Sequence, residues 1–325
     1  MYAPGLKTYI IKRLLSALPT ILVVIVINFA LIHAAPYDPA LMLVGEAGYV
    51  SKEYVARIRA EYGLDKSLPE QLLVYILKVV NADFGYSYFH GEPVLRIIAQ
   101  AIPATLLLMA TAFTIAILIG IVFGIFSARK PNSMTDILFG ILSTAGYSMP
   151  RFLLATLVLW MFSLNLGWFP SGGVRTVGGY SGSDVVDVLT HLCLPALTLA
   201  TYDLALVYRL TRTSMLDTLA KDYIITARSK GLSEKTVLFK HALRNAIAPV
   251  VTTSGVRFGL LLAGAVTTET VFNWPGMGRL IYEATLLGDY PLLMGTFVVI
   301  CMTVIISNLL VDIIYGILDP RVRLK

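Results

Sequence analysis

The chain has 325 residues, of which 57% are hydrophobic and 14% charged, and its mean hydropathy is +0.75. Soluble domains carry about 25% charged residues, so this composition excludes an ordinary soluble globular protein and points to lipid as the solvent.

Six apolar runs are long enough to cross a hydrocarbon core of about 30 Å, which takes roughly 20 helical residues. They are Ile10 to Ile32, Ala104 to Ser127, Phe139 to Leu166, Leu189 to Tyr208, Pro249 to Phe272 and Pro291 to Tyr315. The first contains Lys12 and Arg13 and is followed by Ala34-Ala35, as in a cleaved leader. Its apolar stretch exceeds the roughly 7–15 residues of a leader's central region, so an uncleaved span is expected.

Between the first two runs lies a long loop, 33–103, in which two short amphipathic helices are predicted. One follows Ser51, carries Tyr54, Val55, Ile58 and Tyr62 on one face and ends at Gly63. The other starts with a capping box of Ser67 and Glu70 and has an apolar stripe of Leu72, Leu73, Ile76, Leu77 and Val80. Mutual burial accounts for both stripes, although an outward shell also offers a docking surface.

Small residues mark close helix approach: Gly120 and Gly124 in the second span, and Gly255, Gly259 and Ala263 in the fifth. Contacts within the chain explain them without a partner. Gly172, Gly173, Gly178, Gly179 and Gly182 have no following lysine of a phosphate loop and read as a flexible external loop.

Six spans leave both termini on one side. Of the 26 Lys and Arg residues, sixteen fall on that side, eight on the other, and two, Arg151 and Arg257, inside spans. Both termini are therefore expected in the cytoplasm. The same side holds DYIITARSKGLSEKTVLFKHALRN, Asp222 to Asn245, a polar basic stretch in an apolar chain. Asp222 to Lys230 predicts a short helix stopped at Gly231, and Ser233 caps a second helix running towards Pro249. A basic loop beside anionic lipid needs no further role. A tight hairpin with small Ala227 and a glycine at its turn, however, suits the groove of another protein.

This loop resembles the EAA motif of permease subunits in binding-protein-dependent ABC importers. Ala227, Gly231 and Leu243 match that motif, whereas Ile225, Thr226, His241 and Arg244 depart from it. DYIITARSKGL followed by HALRNAIAPVV is similar to the form in dipeptide, oligopeptide and nickel permeases. The similarity continues through RLLSALPT, APYDPA, YGLDKSLPEQ, ADFGYSY, IPATLLL, LGWFPSGG, HLCLPALTLA, ETVFNWPGMGRL, DYPL and NLLVDIIYGILDPR.

The resemblance implies an all-α polytopic membrane protein of the type I ABC importer permease kind, with about six transmembrane helices and a helical extracytoplasmic loop after the first. It would be a single permease domain over 1–325, with an extracytoplasmic subdomain at 33–103 and a coupling loop at 210–248. Its partners would be a second homologous permease, two cytoplasmic ATPase subunits, an external solute-binding protein and the lipid of the inner membrane, with no nucleic acid. Coupling to the ATPases would fall to Asp222, Tyr223, Ala227, Lys230, Gly231 and Leu232. Glu269, Trp274, Pro275 and Gly276, in the ETVFNWPG element, are candidates for a pathway or gate. ATP and Mg would sit on the partner subunits, and this chain would be neither an enzyme nor a cofactor carrier. The residues agree, since no G-x-x-x-x-G-K-[ST] loop occurs and GLSEKT lacks the required second glycine. Di- or oligopeptides are the expected cargo, with nickel complexes and oligosaccharides as alternatives.

Ionisable residues inside spans are functional candidates. Asp312 reads as a cap near the cytoplasmic surface, and Glu269 either shapes an outer gate or caps its loop. Arg151, Asp203 and Arg257 depart from the family's usual residues. Asp203 lies six residues before Arg209 and Arg257 eight after Pro249, which sets both about 9–12 Å from the cytoplasmic ends. Asp203 is predicted to pair with Arg257 or Arg151, because an unpaired charge in hydrocarbon costs at least about 2.5–3.5 kcal/mol. A pair that neutralises itself is the simpler expectation than a substrate contact.

Rival functions are a proton-coupled carrier using Asp203 or Glu269, and a receptor or scaffold that only docks partners. Against a carrier, no internal repeat is evident. Against a membrane enzyme, His33, His90, His191 and His241 are scattered, without Ser-His-acid or metal-binding spacing. Cys193 and Cys301 fall inside spans and read as small apolar residues.

Overall fold

The computed structural model describes residues 6–34, 53, 56, 59–60, 65–87, 89–176, 178 and 183–318. The helix expected after Ser51 and the tail beyond Leu318 lie outside this set, and so do the side chains of Gly259, Ala263 and Asp312.

Helices dominate. Long ones are α1 (Leu6–Ala34), α3 (Val94–Arg129), α6 (Asp184–Leu219), α9 (Leu243–Val271) and α11 (Tyr290–Leu318). Shorter ones are α2 (Leu68–Val80), α4 (Met134–Ser148), α5 (Arg151–Val158, extended by a π-helical segment Leu159–Asn165), α7 (Asp222–Ser229), α8 (Glu234–Thr236, extended by a π-helical segment Val237–Ala242) and α10 (Met277–Leu287). One small antiparallel ladder pairs β1 (Tyr86–Ser87) with β2 (Glu92–Pro93).

The apolar runs map onto these helices with one correction. α1, α3, α6 and α11 each hold a stretch long and apolar enough to cross a membrane, and α9, with 29 residues, reaches about 43 Å. The third run is long and apolar enough as a whole but is broken near its middle. It is two helices, α4 and α5 with its extension, bent by 111°. Met149 before Pro150 takes an extended conformation, φ −79° and ψ 131°, because the proline ring crowds the helical region of the residue preceding it.

The chain divides into two compact units. In the first, Met1–Thr105 with Pro275–Lys325, α1 and α11 pack along each other and α2 lies against them. The Asn28 amide donates to the Tyr75 hydroxyl at 3.0 Å and to the Met294 carbonyl at 3.1 Å, and His33 Nε2 meets Gln71 at 2.8 Å. Ile25, Val79 and Val298 form the core there, with Tyr75 and Ile76 packed on it. The capping box at Ser67 and Glu70 forms as expected, and its hydrogen bonds from Ser67 hold the Glu70 carboxyl below its ordinary value.

The stripe expected on α2 is rotated. Tyr75, Ile76 and Val79 face the spans, whereas Leu73, Leu77 and Val80 are exposed. A second core joins Val94, Ile98 and Ala101 of α3 to Met277 and Ala284 of α10 and Leu292 of α11. The Thr105 hydroxyl accepts from the Met277 amide at 2.8 Å and satisfies the first turn of α10.

The tertiary fold also assembles Ser87, His90 and Asp289, which the spacing of the histidines did not suggest. Ser87 Oγ donates to the Asp289 carboxylate and lies 3.1 Å from His90 Nδ1. Because the hydroxyl donates to the carboxylate and Asp289 also accepts from the Leu292 amide at 3.2 Å, this group fastens the β1–β2 turn to the start of α11.

In the second unit, Leu106–Trp274, α6 is the hub. It packs against α4, α5 and α9, and α3 closes on it through glycines. A Cβ at Gly120 would stand 2.7 Å from Val207 Cγ1, and one at Gly124 2.5 Å from Thr211 Cβ. Gly120 and Gly124 therefore serve close approach within the chain. α4 is tied to α6 by a two-pronged ion pair, Asp136 accepting from Arg212 Nε at 2.7 Å and from Nη2 at 2.8 Å.

Candidate functional sites: a basic hairpin and a buried charge cluster

The stretch from Asp222 to Ala242 folds as helix, sharp turn, helix. α7 starts with Asp222, whose carboxylate suits the positive end of the helix. It ends at Lys230, and Gly231 then adopts φ +76°, a left-handed conformation that costs other residues about 1–2 kcal/mol. Ser233 caps α8 through the Thr236 amide. Arg228 closes the hairpin across the turn, its Nε 3.0 Å and Nη2 3.5 Å from the Glu234 carboxylate.

One face of this hairpin is glued to the ends of the spans. Ile224, Ala227, Val237, Leu238 and Ala242 join Ile125 and Ala128 of α3, Met215 of α6 and Ala246 of α9 in one core. Each large side chain buried there contributes roughly 1.5–3 kcal/mol. Ala227 points into this core, 6% exposed, so its small size serves the hairpin's own packing.

The opposite face carries the other expected residues. Asp222, Tyr223, Lys230, Gly231 and Leu232 are all exposed. Two further apolar residues are exposed there, Ile225, which departs from the motif, at 54% and Phe239 at 47%. A helical period from the buried Ile224 and Ala227 would have placed Ile225 outward. Exposed apolar side chains interspersed with exposed lysines and arginines have the composition of a docking surface.

The charges inside the spans form a second site. Arg257 Nε donates to Asp203 Oδ1 at 2.9 Å, and the Asp203 side chain is 5% exposed. Arg151 stands beside this pair, its guanidinium 5.0 Å from the centre of the Tyr202 ring. Arg257 lies 4.9 Å from the same ring. Tyr202 stacks on Tyr147 with centroids 4.4 Å apart, its hydroxyl donating to that of Tyr147 at 3.0 Å, and Arg209 lies 4.4 Å from the Tyr147 ring.

Four elements build this cluster: α4 supplies Tyr147, α5 Arg151, α6 Tyr202, Asp203 and Arg209, and α9 Arg257. The two tyrosines went unrecognised because an aromatic residue in an apolar run carries no signal of its own. The Tyr147, Pro150, Arg151 spacing around the helix break is the one local hint.

The ETVFNWPG element is mostly internal. Glu269, Phe272 and Trp274 are buried to 1% exposure or less, and Phe272 packs on Ala155 and Leu194. The Trp274 amide donates to the Glu269 carbonyl at 2.8 Å. Gly172 fits against this turn, since a Cβ there would lie 2.6 Å from the Phe272 carbonyl oxygen, and Gly173 donates to that oxygen at 3.1 Å. The start of the glycine-rich segment is thus docked, not the loose loop its composition suggested. Pro275 and Gly276 belong to the first unit, where Gly276 caps α10.

Residues 120–324 match the family described as the inner membrane component of binding-protein-dependent transport systems, and residues 6–109 match its N-terminal region. The chain belongs to this family. It is a permease subunit of an importer in the inner membrane, multi-pass and helical. A Brucella ovis protein provisionally named a peptide permease is 43% identical over 97% of this chain and 98% of that protein. The oligopeptide transport system permease AppB of Bacillus subtilis is 39% identical, covering 98% of this chain and 100% of AppB. The glutathione transport system permease GsiC of Salmonella typhimurium is 39% identical over 98% of this chain and 99% of GsiC. Among solved structures, an inward-facing MetNI methionine ABC transporter shares the fold, with a TM-score of 0.55 at 14% identity over 69% of this chain and 97% of the MetNI chain.

Proposed function

We propose that this permease forms half of the translocation pathway of an ATP-driven importer for di- or oligopeptides. A second, homologous permease supplies the other half, two cytoplasmic ATPase subunits drive the pair, and an extracytoplasmic binding protein delivers the peptide. ATP and Mg act on the ATPases. Both termini and the Asp222–Ala242 hairpin lie in the cytoplasm, in keeping with the excess of Lys and Arg on that side.

The observation that carries the coupling role is the two-faced hairpin. Its inner face is locked to α3, α6 and α9 by a buried core, while Tyr223, Ile225, Leu232 and Phe239 stand exposed on the outer face. A rigid lever of this kind, seated in an ATPase groove, converts closure of the ATPases into rigid-body motion of the spans. Full-length similarity to permeases named for peptide, oligopeptide and glutathione transport supports peptides over nickel complexes or oligosaccharides.

The test is co-purification of the chain with its sister permease and ATPases, beside Gly231→Ala and Gly231→Trp. A Cβ at Gly231 meets nothing within 4 Å in the chain. Alanine therefore adds only backbone strain, whereas tryptophan also adds bulk where the ATPase groove would close. Retention with alanine and loss with tryptophan is the expected result. A native chain that purifies without ATPase overturns the reading, and uptake driven by a proton gradient would then favour a secondary carrier.

A further inference from the structure

The pair between Asp203 and Arg257 does not neutralise its surroundings. Arg151 and Arg257 flank the Tyr202 ring, and Asp203, already bonded to Arg257, is the one carboxylate beside them among the described residues. Wherever the charge of Asp203 is assigned, one guanidinium remains uncompensated. Arg209 is exposed and close enough to the span's end to be solvated. Arg151 is partly buried, at the first position of α5 just past the 111° break, and has no ion-pair partner among the described residues.

A cation held against an aromatic ring gains less than a guanidinium costs in hydrocarbon. The face made by Tyr147, Arg151 and Tyr202 is therefore no lipid face. Broken helices at membrane depth are tolerated where they line water or are covered by protein, and this break has an unneutralised cation beside it. Tyr147 adds a donor, because its oxygen accepts from Tyr202 and its own O–H has no acceptor among the described residues.

We propose that this face lines the aqueous passage and binds a carboxylate of the transported solute, the free α-carboxylate of a short peptide, between the Arg151 guanidinium and the Tyr147 hydroxyl. The inference rests on the importer reading for its solute, but not for its charge. A lipid phosphate is the other source of an anion. Tyr202, seven residues before Arg209, lies about 10 Å inside the headgroup level, which favours the solute.

The experiment uses the reconstituted full transporter with Cys193→Ala and Cys301→Ala, and a reporter thiol introduced by Ser148→Cys. Ser148 is exposed and lies between Tyr147 and the helix break. Anionic sulfonatoethyl and cationic trimethylammonioethyl methanethiosulfonates are compared for their rates of labelling. The anionic reagent should gain by about tenfold over the cationic one from the Arg151 charge. That gain should vanish in Arg151→Gln and persist in Arg151→Lys. Millimolar trialanine should slow labelling and trialanine amide should not, in vesicles with or without anionic lipid.

Silence towards both reagents, or a rate ratio indifferent to Arg151→Gln, overturns the aqueous cationic face. Protection by anionic lipid alone, or none by trialanine, overturns the peptide carboxylate as ligand. ATPase co-purification of the same variants reports separately on the importer reading, so the two failures are distinguishable.

Discussion

The hairpin and the charge cluster both rest on α6, yet they hold together by opposite means. The hairpin keeps apolar side chains inside, Ile224, Val237 and Leu238 against Met215, and places its charges in water at Arg228 and Glu234. The cluster instead buries the Asp203 carboxylate, with Arg257 in contact 2.9 Å away. Losing one partner is cheap where water replaces it and costly where nothing does. The two regions should therefore answer very differently to substitutions of similar chemistry.

The largest effect is expected from Asp203→Ala, which strands Arg257 and should cost about 3–5 kcal/mol. Loss of folded complex on size-exclusion chromatography would show it. Exchange of the two charges, Asp203→Arg with Arg257→Asp, should restore at least part of the yield. Equal loss in the exchange and in the single reversals would mean that the pairing is not what holds these helices.

Next comes the helix contact that supports both regions. Gly124→Val places atoms 2.5 Å from Thr211, an overpacking expected to cost about 1–3 kcal/mol, read as a lowered unfolding midpoint in detergent. An unchanged midpoint would show that α3 and α6 part easily. Gly231→Ala should cost about 1–2 kcal/mol through its positive φ alone, and should lower the hairpin's protection against proteolysis more than it lowers global stability.

The smallest effect belongs to the hairpin's surface bridge. Arg228→Ala or Glu234→Ala should change stability by about 0.2–1 kcal/mol, and added salt should erase the difference. A loss as large as that of Asp203→Ala would mean that the hairpin's charges are far less accessible to water than the free chain shows.

Much of the hairpin was legible because its signals are local. Ser233 as a cap and Gly231 as a turn residue are read within a few residues of each other, where backbone sterics decide the outcome. Ala227 was legible as a small residue but not as an inward one. Its partners Ala128, Ala242 and Ala246 lie on other elements, and composition says nothing of which face a neighbour covers. On α2 the same limit rotated the stripe, because both faces are apolar and only the arrival of α1 and α11 chose between Val79 and Leu77.

By itself, then, the sequence determined the solvent, the positions of the long apolar helices, and the capped turns at Ser67, Gly231 and Ser233. Each follows from hydropathy over about 20 residues or from short-range sterics. It also called for a cationic partner to Asp203, either Arg257 or Arg151, since a lone buried charge is too costly to leave unpaired. Only the tertiary structure decided that the third apolar run breaks by 111°, that Gly120 and Gly124 face α6, and that Tyr147 and Tyr202 join two arginines and one carboxylate. Those outcomes depend on contacts between residues far apart in the sequence, such as Gly120 with Val207, Tyr147 with Tyr202, and Asp203 with Arg257. No local preference encodes such a meeting, and packing of whole helices brings it about.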